Sequence, residues 1–213
     1  MARPHMIQVA NAASKYRHLP RLLQIFREQG RDFFVFQWFQ VETLQDRIKR
    51  TRRPLPEQDL VRLCTSILND SVAPFVLQNP PIVHGLIRPE HLFLTNEAWA
   101  LSNCSLVLAS EHFQSSTHLE WTIQSPYLPP EIGTVRSIIT GQLDIYSVLA
   151  TAYFALTGTT PQDRESGRST PVRQKNPRVS EALESILAKG LDPSPDRRYQ
   201  SASELQHDIQ TLT

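Results

Sequence analysis

Two apolar runs near the start of the chain carry the pattern of a β-hairpin. Residues 22–26 and 33–36 are rich in β-forming side chains, and Gly30 lies between them in a short polar segment. Strand-forming runs on either side of a glycine-containing turn are typical of two antiparallel strands. We therefore predict a hairpin here, preceded by a helix that ends near Tyr16.

Apolar residues spaced by three or four positions follow the hairpin. Leu44 and Ile48 fall on one face of a helix that begins near Thr43, and residues 60, 64 and 67 repeat the helical spacing. Pro74 should kink or end the second of these helices, because proline lacks the backbone N–H that a helix interior needs.

The longest apolar segment of the chain, residues 145–156, predicts a buried central helix. Asp144 precedes it and Gly158 follows it, which is the usual position of a glycine that ends a helix. Residues 159–176 are rich in Gly, Pro, Ser, Thr and Arg and therefore predict a loop.

Two capped helices are predicted at the end of the chain. Ser180 precedes apolar residues at helical spacing, and Ser201 with Glu204 forms the Ser-x-x-Glu pattern of a capping box. The second half of the chain is therefore expected to be almost entirely helical.

The amino-acid composition is that of a globular domain without a disulfide framework. A chain of 213 residues with 40% hydrophobic residues can bury one substantial core, and its net charge of +1 gives no general attraction to nucleic acid or membranes. Cys64 and Cys104 are too few for a disulfide framework. With no signal peptide pattern and no apolar run long enough to span a membrane, we expect a cytoplasmic protein.

One segment carries the strongest functional signal. Residues 83–94 read Val-His-Gly-Leu-Ile-Arg-Pro-Glu-His-Leu-Phe-Leu, which resembles the catalytic loop His-Arg-Asp-Leu-Lys-Pro-Glu-Asn of protein kinases. Five other segments resemble kinase motifs in the same order: 34–44 the hinge strand, 78–84 the lead-in to the loop, 127–131 the Ala-Pro-Glu signature, 144–158 the central helix and 196–202 the final Arg motif.

Together these motifs resemble the C-terminal lobe of a bacterial Hanks-type serine/threonine protein kinase, from about residue 10 to the end of the chain. The resemblance implies a mainly α (α+β) fold. It divides one structural unit into a residual N-lobe helix and hairpin at 1–39 and a kinase-like C-lobe at 40–213. It also implies structural roles for four residues: His84, Glu131, Asp144 and Arg198. Glu131 should pair with Arg198, and Asp144 should hold the loop backbone near His84.

The same resemblance shows which catalytic groups are replaced. Leu86 occupies the position of the loop Asp, His91 that of the loop Asn, and Asn103 that of the metal-binding Asp. No two of the seven glycines are two residues apart, so no glycine-rich phosphate loop can be written. We therefore expect a truncated, degenerate pseudokinase that is not an enzyme and binds no cofactor, neither ATP nor magnesium.

Individual residues also allow other functional interpretations, which have less support in the sequence. His84 and His91 could join Cys104, His112 and His118 in a metal site, but no zinc-binding spacing supports this. Cys104 is expected to be a buried, inert thiol rather than a reactive one. The basic run 49–53 could touch nucleic acid or a phosphoprotein, although a solvated helix end is the simpler interpretation.

The hairpin suggests how such a protein would act. An isolated hairpin is marginally stable and its edges invite pairing, so Phe33, Phe34, Phe36 and Trp38 are predicted to bind another protein or a second copy in bacterial signalling or regulation. Two alternatives remain open. The chain could bind a nucleotide or another small ligand at the hinge, or it could be a serine/threonine kinase component completed by an N-lobe from another chain.

Overall fold

The computed structural model describes residues 20–37, 41–72, 83–85, 87–94, 99–101, 125–132, 140–161 and 169–212. Its strands are β1 Leu22–Glu28, β2 Arg31–Phe36, β3 Leu92–Leu94 and β4 Trp99–Leu101. Its α-helices are α1 Leu44–Thr51, α2 Glu57–Ile67, α3 Gly141–Thr157, α4 Val172–Lys175, α5 Glu181–Gly190 and α6 Ala202–Gln210. The expected helix end near Tyr16 and the kink at Pro74 lie outside these residues.

The predicted hairpin is present. β1 and β2 pair antiparallel, with Phe26 opposite Phe33 and Ile25 opposite Phe34. The turn places Gln29 at φ 47° and Gly30 at φ 78°, both left-handed. Two left-handed residues match the twist of the flanking strands, which explains why a glycine occupies the second position.

Helix ends follow the capping residues that the sequence supplies. The Thr43, Ser180 and Ser201 hydroxyls each accept a hydrogen bond from a backbone N–H in the first turn of α1, α5 and α6. At the C-terminal end of α3, Gly158 adopts φ 72° and donates its N–H to the Phe154 carbonyl, as a left-handed helix cap does.

Helix α3 is the centre of the core. Every residue from Leu143 to Leu156 is buried, because α1, α2, α5 and α6 pack around it. Gly190 marks the closest approach of α5, since a Cβ at that position would collide with the Leu149 side chain. A helix that is apolar on all sides is stable only in such surroundings.

Two boundaries differ from the expectation. Helix α3 begins at Gly141, three residues before Asp144, because Thr140 caps it by accepting from the Gln142 N–H. The predicted loop 159–176 contains the short helix α4, which buries Val172 against the core. A helix of one turn is too short to show a repeating pattern of apolar residues in the sequence.

Most elements of the described chain are helices, with two small antiparallel sheets, so the mainly α class is confirmed. Within that described part, no helix is both long and apolar enough to cross a membrane. The division at residue 39 into two lobes stays a prediction.

A bidentate ion pair joins two distant parts of the chain. Arg198 donates from Nη1 and Nη2 to the two carboxylate oxygens of Glu131, at 2.7 and 2.8 Å. Its guanidinium also donates to the carbonyls of Asp192 and Pro193 and lies over the Tyr146 ring, 4.8 Å from the centroid. The Arg198 side chain is 1% exposed and that of Glu131 33%, so the pair is buried mainly on the arginine side.

Removing Arg198 should therefore cost more stability than removing Glu131. We predict that Arg198→Ala lowers the free energy of unfolding by about 3–5 kcal/mol, because it leaves a partly buried carboxylate and two carbonyls without their donor. Glu131→Ala should cost about 1–3 kcal/mol, since the guanidinium keeps its carbonyl partners. Urea unfolding monitored by circular dichroism measures both.

The neighbouring Arg197 is the matched control. Its side chain is 75% exposed and reaches Asp192 only at 3.9 Å, so Arg197→Ala should change stability by less than about 0.5 kcal/mol. Equal effects of the Arg197 and Arg198 substitutions would show that the bidentate pair contributes nothing specific.

Candidate functional site

The loop at residues 83–94 contacts α3 through Asp144 near the start of the helix and Thr151 further along it. Gly85 adopts φ 75°, a left-handed conformation that glycine tolerates without strain. Pro89–His91 form one 3-10 turn, and β3 pairs with β4 directly afterwards. Thr43 bridges to Phe93, so the start of α1 also touches this segment.

Asp144 holds the loop backbone. The His84 N–H donates to Asp144 Oδ2 at 2.6 Å, and the Gly85 N–H donates to Oδ1 at 2.7 Å. The carboxyl is completely buried, and this burial raises its pKa to about 7 although the two hydrogen bonds oppose the shift. One carboxyl of α3 thus fixes two consecutive peptide groups of the loop.

A second polar group of α3, which the sequence did not reveal, acts on the same loop. Thr151 is buried and its hydroxyl donates to the Ile87 carbonyl at 3.4 Å. Thr151 lies seven positions after Asp144, on the same helical face. That spacing within an otherwise apolar helix is the signal that could have identified it.

His91 occupies the position where kinases carry the loop Asn, and its surroundings are unsuited to a metal ion. His91 is 7% exposed, and its Nε2 lies 3.4 Å from both Nε and Nη2 of Arg88. A guanidinium beside the ring nitrogen places positive charge where a magnesium ion would need oxygen ligands. Arg88 and His91 thus supply nitrogen atoms and positive charge at this position rather than oxygen ligands.

Two charged side chains of the loop act on the nearby Tyr127. Burial raises the pKa of Tyr127; the Glu90 carboxylate adds to the shift and the Arg88 guanidinium opposes it. Deeper in, Val83 packs with Leu128 and Ile132 in a small apolar cluster. The loop is therefore anchored by its backbone and by packing, and its charged side chains Arg88 and Glu90 are half-buried.

The structure brings some of the predicted site residues together. His84 and Asp144 meet at the loop, and Glu131 meets Arg198 at a separate place. Leu86 and Asn103 lie outside the described residues, so their assigned positions stay predictions.

The metal and thiol hypotheses concern residues that are mostly not described. Cys104, His112 and His118 lie outside the described ranges. Within those ranges, no group of three His, Cys, Asp or Glu side chains could hold a metal. Cys64 is buried, which raises the pKa of its thiol to about 12.

The raised pKa of Asp144 gives a stability prediction. The folded state holds this proton more tightly than the unfolded chain, whose carboxyl titrates near 3.8. The stabilisation from protonated Asp144 is thus complete below that value and is lost as the pH rises through about 7. Relative to Asp144→Asn, the wild type should lose up to roughly 4 kcal/mol over this range.

Chemical unfolding of both proteins at a series of pH values measures this difference. Subtracting the Asn variant removes the titration of all other groups. A difference that stays constant, or that favours the wild type increasingly at high pH, would mean that the hydrogen bonds keep the carboxyl ionised.

Three curated relatives of this chain are serine/threonine-protein kinases by name. The chain is 26% identical to the serine/threonine-protein kinase PrkC of Bacillus subtilis over 95% of its length. It is 25% identical to the serine/threonine-protein kinase PknB of Mycobacterium leprae over 83%, and 25% identical to the probable PknB of Lactococcus lactis over 87%. It spans about a third of each relative, 32%, 30% and 30% respectively. No protein-family model matches it.

Solved structures give the same fold. Two crystal structures of the Mycobacterium tuberculosis PknI kinase domain, one of them a point mutant, superpose with TM-scores of 0.75 and 0.74. They cover 99% of this chain and 79% and 78% of the PknI chains, at 17% and 15% identity. At such identity the likeness establishes the fold.

These findings correct one expectation. The substitutions at Leu86, His91 and Asn103 led to the prediction that the chain is not an enzyme. That prediction is wrong by the comparisons, because the relatives are named as kinases and the matching structures are kinase domains. The chain has the protein kinase fold and is related in sequence to the bacterial serine/threonine protein kinases.

Proposed function

We propose that this kinase-like domain acts in bacterial regulation by binding another protein through the hairpin β1–β2. The observation that carries the proposal is the exposure of apolar side chains on the hairpin. Leu23 is 56% exposed, Phe33 41% and Val35 38%. Exposed apolar residues that lie together, rather than singly, are typical of interaction surfaces.

The strand register defines which face would bind. Phe33 lies opposite Phe26, with the two rings stacked 5.0 Å apart, and Val35 lies opposite Gln24 on the same side. We call Phe26, Phe33 and Val35 the hairpin face. Large aromatic side chains are the residues that most often supply the energy of protein interfaces.

The other face of the hairpin is more covered. Phe34 and Phe36 are half-buried, and Phe34 pairs with the half-buried Ile25. Of the four residues predicted from the sequence to bind a partner, Phe33 is therefore the best placed. Trp38 lies outside the described residues.

The geometry of the sheet supports the same role. In the described part of the chain, β1 and β2 form a sheet of two strands. Two-stranded sheets are marginally stable alone, and their edges can accept a strand from another protein. A partner would thus both cover the hairpin face and extend the sheet.

The hairpin face can be tested with exposed substitutions. We predict that Phe33→Ser with Val35→Ser abolishes self-association or the capture of a partner from the native cell, measured by sedimentation velocity and affinity purification. Because both side chains are exposed, the melting temperature should stay within a few degrees of the wild type.

Val41→Ser is the matched control for Val35→Ser. Val41 is 37% exposed but lies outside the hairpin, so its substitution removes equal apolar surface elsewhere. A wild-type chain that stays monomeric and partner-free would contradict the proposal, as would equal losses from the Val35 and Val41 substitutions.

Serine/threonine phosphotransfer is the second candidate, favoured by the names of the three relatives. It predicts transfer of label from radioactive ATP to a generic protein substrate. The Asp144→Asn variant should transfer less label, because Asp144 holds the loop backbone in place. No incorporation of label above a buffer blank by the folded wild type would remove this candidate, and equal incorporation by the variant would show that Asp144 is not needed for the transfer.

A further inference from the structure

A cleft of about 450 Å³ lies at the opposite end of α3 from the Asp144 contact. Three segments line it: the connection between α1 and α2, the last residues of α3, and the connection between α4 and α5. Its volume falls in the range of ligand-binding clefts. Neither the loop that Asp144 holds nor the hairpin contributes to it.

Two cations line this cleft and have no side-chain partner among the described residues. Lys175 and Arg178 are exposed, and within the described part of the chain neither side chain makes an ion pair or a hydrogen bond. Arg53, which immediately precedes the lining residue Pro54, is also exposed and unpaired there. By contrast, Arg50 of the same basic run is held by Glu42 through two bonds of 2.7 and 2.8 Å.

The Glu57 carboxylate in the cleft already accepts two hydrogen bonds. Glu57 accepts from the Ser180 N–H at 3.0 Å through one oxygen and from the Ser180 hydroxyl at 2.6 Å through the other. These bonds fix Glu57 at the start of α5, away from pairing with Lys175 or Arg178. Because both donors are neutral, Glu57 keeps its charge, so the lining of the cleft carries two cations and one anion, a net charge of +1, and the two cations make no ion pair within the described part of the chain.

The remaining wall is aliphatic. Pro54 and Pro56 are exposed beside the buried residues Leu55, Leu156 and Val179. Among the described residues no aromatic side chain lines the cleft, so these residues offer no platform on which a nucleic-acid base could stack. Cations beside an aliphatic wall suit carboxylates flanking an aliphatic side chain.

We infer that this cleft is a docking site for an acidic peptide segment of a partner protein, with Lys175 and Arg178 binding its carboxylates and the proline-lined wall accepting an aliphatic side chain. The inference rests on charge complementarity and does not depend on the hairpin face. It gives the domain a second contact with a protein, and two linked contacts bind more tightly than either alone.

Fluorescence anisotropy tests the inference. The probe is a fluorescein-labelled octapeptide of Asp and Glu residues around a central leucine pair, titrated with the full chain at low salt. We expect saturable binding that weakens as salt is raised, because exposed charges are screened. The same peptide with Asn and Gln in place of the acids should bind at least about tenfold more weakly.

Charge reversal locates the site. Lys175→Glu with Arg178→Glu should weaken binding of the acidic peptide about tenfold or more. The matched control is Arg62→Glu with Arg197→Glu, which changes the net charge equally at exposed positions that do not line the cleft. The control should bind within about threefold of the wild type.

The inference would be overturned by no binding of the acidic peptide, by equal losses in both charge-reversal variants, or by equal binding of the Asn and Gln peptide. Competition by a single-stranded oligonucleotide of equal charge as effectively as by unlabelled peptide would also overturn it, in favour of a general polyanion surface. The peptide comparison uses only wild-type protein, so it decides the question even where a variant folds poorly.

Discussion

The buried carboxyl of Asp144 is the contact on which the arrangement of the loop depends. It lies at the start of the most buried helix and accepts from two consecutive N–H groups of a segment about sixty residues earlier in the chain. Burial makes such a group costly when charged, but without it the two backbone donors would be left unsatisfied. The loop therefore has one fixed path over α3, and Thr151 secures it further along.

Local chemistry made much of the fold predictable. The Gly30 turn, the caps at Thr43, Ser180 and Ser201, and the glycine after α3 each act within a few residues, so the sequence alone identifies them. The pairing of Glu131 with Arg198 spans 67 positions and could be expected only from the resemblance to kinases. The one-turn helix α4 left no periodic signal.

The binding surfaces were harder to predict, for a physical reason. Both faces of the hairpin carry large apolar side chains, so alternation cannot say which face is exposed, and Phe34 and Phe36 proved more covered than Phe33 and Val35. The basic cleft unites three segments that are far apart in sequence, and only the fold brings Lys175 and Pro54 together.

The domain thus combines a helical kinase-like lobe with an apolar hairpin whose exposed face we propose to bind a protein. Site-specific photo-cross-linking in the native cell tests this claim most directly, with a photoreactive phenylalanine analogue placed at position 33 or, as a reference, at position 41. The account predicts a discrete cross-linked product, either a partner protein or a second copy, from position 33 only. Cross-linking from neither position, or equally from both, would contradict it.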